Sequence, residues 1–236
     1  MQFSTPLMPA RLIRRYKRFL ADCRLEDGTE ITAHCPNPGS MMGLADPDMK
    51  IWLEPNDDPK KKLKYGWRLV DHENGHYTGV DTAVPNRALK QALLAREIPS
   101  LADYPIIKPE VKYGENSRVD FHLSGGNRPD LWIEVKSVTL MRQNGVAEFP
   151  DSVTARGAKH MGELAAMSRA GDDAMVLFLV QRTDCARVAP AADIDPKYAA
   201  ALRDAVADGV RVMALGTRIS PKGVEIGDEI PFDIGI

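Results

Sequence analysis

The chain is poor in cysteine, histidine and aromatic side chains. Of its 236 residues, three are Cys, five are His, and 6% are Phe, Trp or Tyr. Cys23, Cys35 and Cys185 form neither an even set nor a Cys-x-x-Cys pair. That excludes a disulfide framework and a cysteine-rich zinc module. No apolar stretch approaches the roughly 18 residues of a membrane span. The opening segment, MQFSTPLMPARLIRRYKRF, has no apolar core followed by a cleavage site, so it does not read as a signal peptide. A cytoplasmic protein with reduced thiols and no membrane partner is expected. Long runs of one charge sign are also missing. With a net charge of −2, the chain is not a uniformly basic coat for nucleic acid.

What is present is enough for a folded core. Hydrophobic residues are 44% and charged residues 27%, a balance that disfavours wholesale disorder. The charge is unevenly placed: residues 1–68 carry +3 and residues 69–236 carry −5. Any affinity of the first part for phosphate must come from local clusters. Positions 11–18, RLIRRYKR, hold five basic residues among Leu12, Ile13 and Tyr16, with Phe19 following. Basic side chains interleaved with aromatics suit a surface that tracks a phosphate chain and stacks bases, or else a solvated strand rim. Lys60, Lys61, Lys62 and Lys64 read as an exposed loop. The stretch His34 to Ser40, HCPNPGS, reads as a turn whose backbone N–H groups can cradle phosphate, with His34 and Cys35 packed inside.

Residues 1–80 read as β structure. Arg18 to Leu25 and Thr29 to Cys35 flank the turn pair Asp27-Gly28; Lys50 to Glu54 is a third strand. Gly66 to Asp71 and His76 to Val80 flank Asn74-Gly75. About five short strands suggest a small barrel, for which the OB-fold is the usual candidate. A boundary is expected at 81–85. Beyond it, Asn86 to Glu97 reads as a helix capped by Asn86, with Leu89, Leu93 and Leu94 on one side. Lys108 to Tyr113 is a strand. Asp151 or Ser152 caps a helix to about Ala170, and Ala174 to Val180 is a buried strand. Pro196 to Asp208 is a helix and Val210 to Leu215 a strand. The order α-β-β-β-α-β-α-β fits an α/β domain with a mixed sheet over 81–236.

The most informative stretch is 108–138. Arg118 to Leu123 and Leu131 to Ser137 alternate apolar and polar, and Gly125, Gly126, Asn127 and Pro129 lie between them. That is a β-hairpin signal. A loop symmetric about Asn127 makes facing residue numbers sum to 254. Asp120 then faces Glu134 and Arg118 faces Lys136, while Val119, Phe121, Ile133 and Val135 enter a core. Two facing carboxylates repel unless a cation sits between them. Mg²⁺ is commonly held by one or two carboxylates plus substrate phosphate.

An acid, a hairpin loop and then Glu-x-Lys resembles the PD-(D/E)XK nucleases. The wider text, EVKYGENSRVDF, IEVKSVTL, FPDSVTARGAKHMGEL and HCPNPGSMMG, resembles the sugar fermentation stimulation protein A family over nearly the whole chain. The resemblance implies an OB-like barrel over 1–80 and a restriction-endonuclease-like domain over 81–236. It implies that Asp120 and Glu134 hold Mg²⁺ or Mn²⁺, with the Val135 carbonyl as a further ligand and Glu110 in a second sphere. Lys136 would act on water or on charge at phosphorus. DNA is the expected partner, contacted by Arg14, Arg15, Arg18, Asn37, Arg156 and His160. Arg156 and His160 share a helix face near a helix N-terminus that can attract phosphate. Two residues depart from the family pattern: Gln91 stands where a helix acid is common, and Pro38 where Thr is common. The rival reading is a catalytically silent DNA-binding regulator of sugar-utilisation genes. A third is an interaction module using the barrel alone. A homodimer is left open by the sequence.

Overall fold

The structure is a computed structural model that describes residues 1–113 and 117–235. Gly114, Glu115 and Asn116 of the EVKYGENSRVDF motif lie outside the described residues. The first sheet contains β1 (Met8–Tyr16), β2 (Leu20–Leu25), β3 (Glu30–His34), β4 (Lys50–Pro55), β5 (Tyr65–Asp71) and β6 (Tyr77–Gly79). Their order is β3-β2-β1-β4-β5-β6, and a parallel contact of His34 with Gly66 joins β3 to β5. Strands β1 to β5 therefore close into a mixed five-stranded barrel, with β6 appended. Leu12, Ala21, Cys23, Ala33, Cys35, Ile51, Leu53 and Trp67 fill it.

Three sequence expectations change here. β1 is a strand, although its alternation is broken by a bulge between Leu12 and Arg14. The next strand starts at Leu20, because Lys17 and Arg18 form the turn with φ of 48° and 62°. His34 is exposed, while Cys35 is buried as expected.

The second part opens with α1 (Val84–Leu94), followed by β7 (Ile106–Tyr113), β8 (Ser117–Ser124) and β9 (Leu131–Val138). Then come β10 (Leu140–Gln143), β11 (Val146–Phe149), α2 (Ala155–Arg169) and β12 (Asp173–Val180). The chain ends with β13 (Arg187–Pro190), α3 (Pro196–Ala207), β14 (Arg211–Ser220) and β15 (Gly223–Glu229). The main sheet runs β15-β14-β12-β9-β8-β7, and β12 is parallel to both β9 and β14. Leu89, Ala92 and Leu93 of α1 cover one face, packing on Phe121, Ile133, Val135 and Leu177. Met161 and Leu164 of α2 and Tyr198 and Leu202 of α3 cover the other. Both faces of β12 are thus buried, which is why AMVLFLV is continuously apolar.

The short sheet β10-β11-β13 and the edge strand β15 are absent from the sequence reading. The β10–β11 turn nevertheless carries the Asn-Gly signal, at Asn144-Gly145. Helix α1 is not capped by Asn86: it begins two residues earlier, and the Asp81 carboxylate accepts from the Ala83 N–H. Leu94 is exposed rather than part of the apolar side. Helix α2 is capped by Thr154, whose hydroxyl accepts from Gly157 N–H at 3.0 Å, not by Asp151 or Ser152.

The barrel and the α/β part meet through paired backbone. Gly79 N–H donates to the Gln181 carbonyl at 2.8 Å, and Thr183 N–H to the Tyr77 carbonyl at 3.1 Å. Gln181 is fully buried in this seam, and its amide donates to the Ser137 hydroxyl and the Asp81 carbonyl. A Cβ on Gly79 would lie 2.7 Å from Gln181 Oε1. We expect Gly79→Ala to destabilise the fold by roughly 1–3 kcal/mol through overpacking. In urea unfolding, adding Gln181→Ala should cost less than the sum of the single changes. Strict additivity would show that the two residues do not compete for that space.

Candidate active site

The hairpin register is the one that the symmetric loop demands. Phe121 pairs with Ile133, His122 with Trp132 and Leu123 with Leu131, each pair summing to 254. The ladder stops at Phe121, one residue before Asp120. There the carboxylate of Asp120 enters the gap between the strands. Its Oδ2 accepts from Val135 N–H at 2.7 Å, and its Oδ1 accepts from the Asn86 amide at 2.6 Å. This local parting also redirects Val119, which packs with the α2 side and not, as expected, with Phe121, Ile133 and Val135.

Glu134 and Lys136 point from β9 to the α2 side and are both buried. Lys136 Nζ donates to Glu134 Oε1 at 2.7 Å. His160 Nδ1 meets the same oxygen. Arg156 Nε donates to His160 Nε2 at 3.3 Å, which leaves Nδ1 to carry the proton toward Glu134. The other Glu134 oxygen, Oε2, is buried and has no partner among the described residues. Asp120, Glu134, Val135, Lys136, Asn86, Arg156 and His160 line one cleft of ≈ 250 Å³, between the first turns of α1 and α2.

The two carboxylates titrate in opposite directions. Burial, followed by the charge of Glu134, pushes Asp120 from an ordinary 3.8 up to about 6, against the pull of the Val135 and Asn86 bonds and of Lys136. Burial also pushes Glu134 up, but the His160 bond together with the charge and bond of Lys136 outweighs it, leaving Glu134 below 4.5. The cluster thus holds one firmly ionised carboxylate and one that takes a proton readily.

Other expected residues are placed elsewhere. Glu110 lies in the register position across from Asp120, but with φ of 55°, exposed, and outside the lining of the cleft. His160 is buried as the partner of Glu134 and lines the cleft; Arg156 is exposed. Asn37 is buried: its amide donates to the Val80 carbonyl and its side-chain oxygen accepts from Gly39 N–H. Arg15 is half-buried and holds the carbonyls of Asn37 and Gly39 at 2.8 and 2.9 Å, which secures a loop. Arg14 is paired with Asp22 at 2.9 Å. Arg18 is exposed and lines a longer groove that continues past Ser40, Thr82 and Ser152 to Lys136. Gln91 is exposed and away from the cleft; the α1 side chain that reaches the acids is Asn86. Five positions separate the two, which on a 3.6-residue period puts them on different sides of the helix. Asn86 was visible in the sequence only as a cap candidate, because an amide reaching across to a strand leaves no local pattern.

Among the described residues, no three His, Cys, Asp or Glu side chains converge as a metal-binding group. Two carboxylates and a backbone carbonyl are a different donor set, and Mg²⁺ uses such sets with water. The unpartnered Glu134 Oε2 and the second lone pair of each Asp120 oxygen fit a hard cation.

Comparisons with known proteins agree with this architecture. The family model described as SfsA N-terminal OB domain matches residues 13–80, and that described as sugar fermentation stimulation protein RE domain matches residues 83–223. A sugar fermentation stimulation protein homolog of Ruegeria pomeroyi is 72% identical, covering 97% of this chain and 99% of its own. One from Agrobacterium fabrum is 47% identical, covering 99% and 97%. The solved structure of Pyrococcus furiosus SfsA in complex with Ca2+ superposes with a TM-score of 0.88 at 28% identity, covering 99% of this chain and 98% of that one.

Without a cation, Asp120 should make stability fall with rising pH. A carboxyl whose folded pKa exceeds its unfolded value favours the fold fully below the unfolded value, and that contribution is lost up to the folded value. The window is therefore about pH 4 to 6. Melting temperatures in EDTA should show this fall in the wild type, and Asp120→Asn should flatten it. An identical slope in both proteins would contradict the assigned shift.

Proposed function

The chain belongs to the sugar fermentation stimulation protein family, with an OB domain and an RE domain, and from that premise we propose that it binds DNA and hydrolyses phosphodiester bonds with Mg²⁺ or Mn²⁺ at Asp120 and Glu134. The observation that carries this reading is the shared patch of Asp120, Glu134 and Lys136, with a bare buried Glu134 oxygen, at the inner end of a groove reaching Arg18. The Pyrococcus furiosus relative is described with Ca2+, another hard cation that takes oxygen ligands, and that supports a cation site in this fold. Asp120, Glu134 and the Val135 carbonyl would hold the ion, which neutralises phosphoryl oxygens and generates a nucleophilic water when bound. Asn86 and the Val135 N–H fix the Asp120 carboxylate in place. His160 fixes Glu134. Lys136 keeps two further N–H donors for a water or a phosphoryl oxygen.

A second reading is a catalytically silent DNA-binding regulator. It is favoured by the engagement of Glu134 Oε1 with both Lys136 and His160, which balances the charge internally. Incubation of labelled DNA with Mn²⁺ or Mg²⁺, against EDTA, separates the two. Cleavage should need the cation. Asp120→Asn should abolish both cleavage and cation-dependent gain in melting temperature, whereas Lys136→Ala should lose cleavage and keep that gain. Thermal stabilisation without cleavage of any DNA tried would favour the regulator.

DNA binding itself should depend strongly on salt, each phosphate contact adding a slope of roughly −0.7 to −0.9 in log K against log salt. Arg18→Ala should weaken binding and reduce that slope by about one contact. Arg14→Ala should do less, since Arg14 already pairs with Asp22. Titrations at several salt concentrations that leave the slope unchanged in Arg18→Ala would remove the barrel turn from the DNA-binding surface.

A further inference from the structure

The β1–β2 turn carries an arrangement that the cleft chemistry does not use. Lys17 and Arg18 are consecutive non-glycine residues with φ of 48° and 62°. Hairpin turns of that conformation ordinarily take Asn and Gly, because other side chains strain the backbone there. The turn is held through its backbone, Arg15 Nε donating to the Arg18 carbonyl at 3.1 Å and Phe19 N–H to the Lys17 carbonyl at 2.7 Å, while the Lys17 and Arg18 side chains make no hydrogen bond or ion pair among the described residues. Immediately after them, Phe19 is 45% exposed. Its ring lies against the exposed His34 ring, with centroids 6.3 Å apart and planes 26° from parallel. A lone exposed aromatic needs no explanation. An exposed stacked pair, beside two cations without side-chain partners on a strained turn, one of which, Arg18, lines the groove that leads to Lys136, asks for a ligand with both a flat ring and a negative charge.

We propose that Phe19 and His34 form a stacking platform for an unpaired base, so that the DNA taken up has a single-stranded stretch running from this turn along the groove to Asp120 and Glu134. A base within duplex DNA already has its faces covered by its neighbours and presents only edges, so an aromatic face can engage only a base that is out of the stack. Lys17 and Arg18 are placed to hold the adjacent phosphates. The inference rests on the DNA-binding part of the proposed function and not on cleavage.

The test is equilibrium binding in EDTA at low salt, read by fluorescence anisotropy, with labelled oligothymidylate and with a blunt two-strand duplex of equal length. The wild type should prefer the single strand. Phe19→Ala should weaken single-strand binding roughly 5- to 150-fold, the range for losing one stacked base. Its duplex binding should change less than about twofold. Phe19→Tyr should keep single-strand affinity, since it keeps the ring face. Leu94→Ala, an exposed apolar change on α1, should alter neither. Equal losses on both DNAs, no loss on the single strand, or a wild type without single-strand preference would each overturn the platform. Because no cation is present, the outcome is independent of catalysis. A platform that behaves as expected in a protein that cuts no DNA supports the inference and removes the nuclease reading; cleavage that survives with no Phe19 effect does the reverse.

Discussion

The hydrogen bond from Val135 N–H to the Asp120 carboxylate is the interaction on which the rest depends. In an uninterrupted antiparallel pair, a backbone carbonyl would serve that N–H. Here a side chain serves it, and the two strands part beyond Phe121 and Ile133. The parting opens the edge of β9 at Glu134 and Lys136 without leaving a buried donor unsatisfied. It also turns Val119 to the α2 core, so the apolar periodicity of β8 changes face across Asp120. One carboxylate thus replaces a rung of the sheet and makes room for the cleft.

The buried cluster beside this gap is balanced by division of labour between the two acids. Glu134 carries the stable negative charge, because Lys136 and His160 both bond its Oε1. Asp120 receives only neutral donors, an amide and a backbone N–H, and faces the charge of Glu134; its proton affinity rises accordingly. Removing either cationic or polar partner of Glu134 would leave a buried charge uncompensated, which is far costlier than losing a surface ion pair. The cluster is therefore held by contacts from three elements, α1, β9 and α2, and not by the hairpin alone.

That division explains what the sequence could and could not reveal. The hairpin register was legible because the Gly-rich loop and the period-two pattern both count residues along one chain segment. The same holds for the apolar strand β12. The role of Asn86, the burial of His160 and the stapling by Arg15 were not legible, because each joins segments far apart in sequence: Asn86 to Asp120, His160 to Glu134, and Arg15 to the 37–39 loop. β1 was hidden for a local reason, a bulge that shifts the phase of its arginines. Gln91, the departure from the family pattern on α1, lies off the cleft because helix phase decides which side chain of α1 meets the sheet.

The two parts of the chain behave as one scaffold, and the seam shows why. Arg15 and Asn37 shape the 37–39 loop from the barrel side; across it, Ser40 donates to the Asp151 carbonyl at 2.8 Å, just before α2. Gly39 sits against the Asp151 carboxylate so closely that a side chain would collide with it. On the other side, β6 pairs directly with the chain leaving β12, and Gln181 ties that pairing to Ser137, the neighbour of Lys136. Leu69 of the barrel and Val84, Ile219 and Val224 of the α/β part share a small apolar core with Met1 and Phe3 packed against it. A seam made of backbone pairing, close glycine contact and shared apolar burial resists hinge motion, in contrast to domains joined by an exposed linker. The groove between Arg18 and Lys136 runs along this seam, lined by Asn37 and Ser40 from one part and by Ser137 and Ser152 from the other. The groove lining and the acid cluster are thus positioned by one connected set of bonds.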